Sequence, residues 1–333
     1  PPQWDADFES RLRAADVVLV TNMGVGLDSP FLERLERWLY AHHPKYWIDV
    51  VEPKKTDILY RNLDEDKRVL LESYRRTSGV MNYVRLINGA FSTKPTSEWE
   101  EPDPIPWQAI MGREGNIYET YDEFMDAEGH RDWPSIAVYF YRDEWIMGDI
   151  EYQQALFEEI YKHQYNPIIF YGQYGSNPRV GIPNMKLSMN HLFGKDEFPF
   201  DVLINTCKFS FQSLGAQTLE ELKLQDVPIV QGYTIYMDEK SWAENPQGVT
   251  PLDVNLSISQ PELDGVIQGG VVACQTYDER GHYVYLPVKE RIAAIVQRAI
   301  KWSTLRHIPV SERKVAVILH NYPPQKPHTM SPP

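Results

Sequence analysis

Lys314 to Pro324 reads KVAVILHNYPP, an apolar run followed by a polar pair, an aromatic residue and two prolines. Val315 to Leu319 is too short for an ordinary helix and carries β-branched residues, while Pro323 and Pro324 cannot continue a hydrogen-bonded ladder. The pattern predicts a buried central strand that delivers His320, Asn321 and Tyr322 to the carboxyl edge of a parallel sheet, where open α/β folds place their ligands.

Working outward from that strand, Val288 to His307 reads as a helix, Val266 to Cys274 as a strand and Leu256 to Ile258 as a short strand. Strands are also predicted at Pro134–Tyr141, Pro167–Tyr171, Phe200–Asn205 and Pro228–Tyr236, separated by helical patterns at Asp149–Tyr165, Met185–Phe193 and Thr218–Leu224. Nearer the amino end, strands at Asp16–Asn22 and Trp47–Val51 flank a helix with the stripe Phe31, Leu35, Trp38 and Leu39. Leu63 to Ala90 follows as a long helical stretch broken around Ser78 and Gly79. Such alternation, with right-handed crossovers, predicts an α/β protein of two doubly wound, mostly parallel-sheet lobes, of Rossmann, flavodoxin or binding-protein type. Pro95, Pro102, Pro104 and Pro106, with the acidic SEWEEPDP, separate the two series. The expected boundaries are a lobe over 1–91, an extended linker over 92–133, a second lobe over 134–324 and a tail over 325–333.

Composition narrows the function classes. The 333 residues, 42% hydrophobic and 24% charged, suffice for a sizeable core, and the formal charge of -14 excludes nucleic acid and anionic membrane surfaces as natural partners. An anionic substrate would need a local basic group to offset that field. Cys207 and Cys274 each sit in an apolar run and read as buried free thiols of a reducing compartment. No apolar segment reaches about 18 residues and no signal layout opens the chain, so a cytoplasmic protein without an integral membrane segment is expected. The start on Pro1 and Pro2, without Met, is read as a piece of a longer polypeptide.

Standard motifs give little. GVGLDS, Gly24 to Ser29, follows a strand and opens a helix, which invites a dinucleotide site with Asp49 as ribose acid, but its third glycine is replaced by Ser29. No phosphate loop is present, since Gly194 and Lys195 are followed by Asp196. The nine histidines fall into no metal-ligand spacing, so no resident metal is expected.

QPELDG (Gln260–Gly265), the helix ending RAIKWSTLR (Arg298–Arg306), KVAVILHNYPP and the stretch WPSIAVYFYRDEWIMGDIEYQQAL (Trp133–Leu156) together resemble the large subunit of cobaltochelatase, in the CobN family shared with the large, porphyrin-binding component of magnesium chelatase. The resemblance implies a ligase-type, ATP-dependent chelatase subunit of cobalamin biosynthesis. It would hold a tetrapyrrole, a corrin or porphyrin, between two lobes, with Co2+ or Mg2+ as substrate. No cofactor would be bound permanently, and ring ATPase chelatase subunits would use the ATP. HNYPP is closer to the cobalt branch. The family runs on past the position of Pro324, whereas QKPHTMSPP ends this sequence, which leaves the residues credited with metal insertion elsewhere and the segment alone expected to be inactive.

Within that resemblance, Glu262 and Asp264 are catalytic candidates for removing pyrrole N–H protons; the alternative is a turn in which Pro261, Asp264 and Gly265 only shape the chain. His191 and His320 are candidate axial contacts or backbone-bonded surface histidines. Arg142, one residue past a predicted strand, is a candidate for a propionate or acetate arm, or else pairs with Asp143 or Glu144. Tyr171, Tyr174, Phe209 and Phe211 offer flat faces to a macrocycle or ordinary packing. A porphyrin-binding component of the magnesium chelatase type and a non-enzymatic bilobal module for a small ligand are the competing functions.

Overall fold

In the computed structural model, residues 4–22, 30–42, 45–50, 63–172, 183–194, 198–211, 220, 222–223 and 226–318 are described. The chain divides into two units, Pro1–Pro106 and Trp107–Pro333.

In the first unit, β1 (Val17–Asn22) and β2 (Lys45–Val50) pair in parallel on either side of α2 (Pro30–His42) in the chain. Asp5 caps α1 (Ala6–Ala14) by accepting from the Phe8 amide at 2.8 Å, and Leu12 of α1 packs with Leu35, Trp38 and Leu39. The predicted break in the next helical stretch is real. It separates α3 (Glu65–Thr77) from α4 (Val80–Phe91) at Ser78 and Gly79, whose φ angles are 64° and 87°. Buried Asn82 donates to the carbonyls of Ser78 at 2.8 Å and Asp103 at 3.0 Å and accepts from the Asp103 amide at 2.8 Å. Arg85 adds ion pairs to Glu100 (2.6 Å) and Asp103 (2.7 Å). The acidic, proline-rich stretch is therefore tied to α4.

The second unit holds an eight-stranded sheet in the order β10-β9-β8-β7-β5-β6-β3-β4. Its centre is parallel: β5 (Ser135–Tyr141), β6 (Asn166–Gly172), β7 (Val202–Asn205), β8 (Ile229–Ile235) and β9 (Ile267–Tyr277). Antiparallel strands close both sides, β3 (Ala109–Met111) with β4 (Ile117–Tyr118) at one and β10 (Tyr283–Pro287) at the other. Every residue of β6 and β7 is buried, as expected of parallel strands covered on both faces. α6 (Arg142–Met147) and α7 (Glu151–Lys162) follow β5, and α7 buries Tyr152, Gln153, Leu156, Phe157 and Ile160 on one stripe. α8 (Met185–Phe193) precedes β7 and α9 (Glu239–Glu244) follows β8. α10 (Pro251–Asp253), a π-helical turn (Val254–Ser259) and α11 (Gln260–Leu263) then form one helical run, and α12 (Lys289–His307) packs against α7.

Three expectations change. The extended linker over 92–133 is not observed: residues 107–133 supply β3, β4 and α5 (Tyr121–Ala127), because the prolines end at Pro106 and the apolar Ala109–Met111 finds a partner in β6. Leu256–Ile258 is helical rather than a strand, continuing a helix that Thr250 caps and Pro251 starts. The described part of the expected central strand at Val315–Leu319 forms no ladder, and Val315, Val317 and Ile318 are exposed. An apolar run specifies a preference for burial without naming the strand it pairs with. Leu319 to Pro324, with His320, Asn321 and Tyr322, lie outside the described residues.

Gly269 marks the place where β9 slips against β8. Gln268 pairs with Gln231 and Gly270 with Gly232, so Gly269 is an extra, bulged residue, and a Cβ there would run into the Gln231 carbonyl oxygen. Gly269→Ala should therefore cost about 1–3 kcal/mol by overpacking. Gly270→Ala, where a Cβ meets open space, should be close to neutral, as urea unfolding midpoints of the two variants will show.

Candidate functional site

From β5 the chain crosses to β6 on one side, and from β6 it returns past β5 to β7 and moves on to β8 on the other. The connections leave the β5–β7 pair in opposite directions, which makes the carboxyl ends of these two strands the usual ligand position in such sheets. Tyr141 and Arg142 reach it from β5, and Thr206, Cys207 and Lys208 from β7.

Buried hydrogen bonds fix this edge. The Tyr141 hydroxyl accepts from the Lys208 amide at 2.8 Å and donates to the Lys208 carbonyl at 3.0 Å. The Thr206 hydroxyl donates to the Tyr139 carbonyl at 2.9 Å. Asn205 and Gln231 each donate to the Cys207 carbonyl, at 3.1 and 2.9 Å, and Asn205 also donates to the Gln231 side-chain oxygen at 2.8 Å. Phe209 then takes φ 73°, a conformation sparsely populated by residues with a side chain, and its amide donates to the Leu256 carbonyl at 2.7 Å.

On this rigid turn, Lys208 is 5% exposed. Its Nζ donates to the Tyr285 hydroxyl at 3.0 Å and stands 3.3 Å from the centre of the Tyr236 ring. Two carboxylates act on it without touching it. Asp253 accepts from the Tyr236 amide (3.2 Å) and the Thr250 hydroxyl (2.6 Å), and Glu144 accepts from the Tyr152 hydroxyl (2.6 Å) and the Gln153 amide (2.7 Å). Burial lowers the Lys208 pKa to about 8, against the attraction of Asp253 and Glu144. Burial likewise raises Glu144 to about 8, opposed by the Tyr152 hydrogen bond. Glu144 as a residue keeps some surface, but both hydrogen bonds draw its carboxyl inward. Asp149, at the start of α7, accepts from the Tyr285 amide at 3.0 Å and so holds β10 beside the cluster.

Among the described residues, the sequence-predicted ones do not gather here. Arg142 does start at this edge, but it is 1% exposed, and its guanidinium covers the Trp107 ring at 4.4 Å instead of facing this ligand position. Burial brings its pKa down to about 10. His191 is exposed on α8. Glu262 is exposed on α11, while buried Asp264 accepts from the Ser210 hydroxyl (2.9 Å) and the Phe211 amide (2.5 Å), tying the post-β7 loop to the entry of β9. Both lie before the first residue of β9, at the amino edge of the sheet. Tyr171 is buried under Trp145, and Tyr174 lies outside the described residues. Sequence pattern does not single out Lys208, Glu144, Tyr236, Asp253 or Tyr285. The signal for Lys208 is the positional rule that applies to Arg142, a lone cation just past an apolar strand. A separate cavity of about 440 Å³ is lined by Arg113, Glu128, His130 and Tyr161, among others. Its polar groups already engage protein partners, Arg113 with Glu158 and His130 with Tyr161. Among the described residues no cluster of three or more His, Cys, Asp or Glu is placed for a metal, and no helix is long and apolar enough to cross a membrane.

A sequence profile of the CobN/Magnesium Chelatase family matches residues 72–331. The chain belongs to this family. An uncharacterized protein of Methanocaldococcus jannaschii is 30% identical over 284 residues, covering 80% of this chain and 23% of that protein. The aerobic cobaltochelatase subunit CobN of Pseudomonas aeruginosa is 24% identical over 68% of the chain and 18% of its own length. The H-type magnesium-chelatase protein of Rhodobacter capsulatus is 28% identical over 32% of the chain and 10% of its own length. The catalytic subunit of cobaltochelatase from Mycobacterium tuberculosis shares the fold, with a TM-score of 0.57 at 20% identity, over 92% of this chain and 25% of that one. The chain thus spans about a quarter or less of these CobN/Magnesium Chelatase relatives.

Glu144 and Lys208 give this family member a signed pH response. Between pH 4.5 and 8 the folded chain keeps a proton on Glu144 that the unfolded chain has released, so this group's contribution to stability falls as pH rises. Between pH 8 and 10.5 the unfolded chain keeps a Lys208 proton that the folded chain has lost, so this group's contribution rises, while the buried thiols of Cys207 and Cys274, held protonated beyond their usual range, oppose it above pH 9. Urea midpoints should fall from pH 4.5 to 8, and Glu144→Gln should flatten that fall.

Proposed function

We propose that this chain is part of the large, tetrapyrrole-binding subunit of a metal chelatase, that the metal is cobalt and that the macrocycle is a corrin precursor. The family match over residues 72–331 carries the reading. The cobalt branch is favoured because similarity to CobN of Pseudomonas aeruginosa extends over 68% of the chain, whereas similarity to the magnesium-chelatase protein of Rhodobacter capsulatus covers 32%. In this reading ring ATPase subunits hydrolyse the ATP, in keeping with a sequence that has no phosphate loop.

The macrocycle belongs at the carboxyl edge of the second unit's sheet, with His320, Asn321 and Tyr322 as contacts and His191 as a further candidate. Arg142 is the weaker choice for a carboxylate arm, since its guanidinium is sealed against Trp107. Of the two acids at PELDG, Asp264 is engaged in holding its loop, and exposed Glu262 stands before β9 at the amino edge, away from a macrocycle at the carboxyl edge.

Absorbance titration of the purified chain with a metal-free corrin and a metal-free porphyrin tests this reading. A spectral shift at micromolar ligand, with the corrin bound more tightly, is expected. Tighter porphyrin binding would favour the magnesium branch, and no shift with either macrocycle would favour a small-ligand module. His320→Ala should weaken binding about 10-fold, equivalent to about 1.4 kcal/mol, with its urea midpoint unchanged. Undiminished affinity would remove His320 from the site.

A further inference from the structure

We infer that Lys208, framed by Tyr236 and Tyr285, is the receptor for a carboxylate arm of the macrocycle, an assignment that rests on the chelatase reading. An ammonium group offers three donors, and here one goes to the Tyr285 hydroxyl. Among the described residues Lys208 forms no ion pair. Its nearest carboxylates are committed to other donors, Asp253 to the Tyr236 amide and Thr250, and Glu144 to Tyr152 and Gln153. A cation buried to this degree without a paired anion is costly in the unliganded chain, and a bound carboxylate would remove that cost.

Geometry supplies the rest. The Tyr141 hydroxyl, donating to the Lys208 carbonyl and accepting from its amide, clamps the Lys208 backbone, so little order has to be created when a ligand arrives. The position lies at the switch point of the sheet, where a ligand is expected on topology alone. Tyrosine rings beside the ammonium exclude water and strengthen its field locally, which matters in a chain whose formal charge is -14. Arg142, the other cation at this edge, is covered by Trp107.

The test compares a metal-free porphyrin carrying free carboxylates with its neutral amide derivative, titrated against the parent chain, Lys208→Met and Lys208→Arg. The parent should prefer the acid at least about 10-fold, the size of one charge-assisted contact. Lys208→Met should lose that preference while binding the amide as the parent does, and Lys208→Arg should retain part of it. Preference surviving in Lys208→Met, or a parent that binds both forms equally, overturns the assignment while leaving the chelatase reading in place. A parent that binds neither form overturns both. Loss of both ligands in Lys208→Met, with Lys208→Arg behaving alike, would make Lys208 a support of its loop and overturn the proposal as well.

Discussion

Burying a stack of parallel strands on both faces leaves their polar chemistry one place to go. In β5, β6 and β7 nearly every side chain is shielded, so the sheet cannot present a functional group through either surface. What reaches solvent or ligand must do so where the strands end. The reversal of chain direction around β5 then decides which pair of ends is the usual ligand position, and the cluster around Lys208 lies there. Fold and candidate site are consequences of one constraint.

The same constraint explains what was legible in the sequence. Strands such as Ser135–Tyr141 and Asn166–Gly172 announce themselves through unbroken apolar runs, and the break at Ser78 and Gly79 through its turn residues. The antiparallel strands β3, β4 and β10 were hidden because they are short or carry mixed polarity, and only their ladder partners make them strands. KVAVILHNYPP misled in its described part, since hydrophobicity fixes how much a segment gains from burial and says nothing about its neighbour. At the site, Arg142 and Lys208 fit one positional rule equally well from sequence. They differ only in what lies above them, an indole in one case and two phenol rings in the other, and that is decided by residues far away in the chain. Glu144 was even less visible, because its role depends on Tyr152 and Gln153 one helix later.

Electrostatically the second unit separates its acids by task. Asp264 and Asp253 each take backbone amides and hydroxyls and so serve as ties between loops and helices. Among the described residues Glu144 accepts from two side chains and no backbone amide, and burial of its carboxyl moves it far enough from the usual carboxylate range to change charge near neutral pH. A protein with a large negative balance can in this way keep one cation electrically prominent at a chosen spot: nearby carboxylates are occupied or partly protonated, and remote ones are screened.

Asp149 has a consequence beyond the site. β10 is the outermost strand, and its Tyr285 amide faces away from β9 to the Asp149 carboxylate. An open strand border with free amides is a template on which another polypeptide can add itself, the first step towards aggregation. By occupying that amide from within the same molecule, the residue that leads into α7 stops the sheet from growing there. Discouragement of unwanted association is thus built in beside the helix that also carries Tyr152 and Gln153.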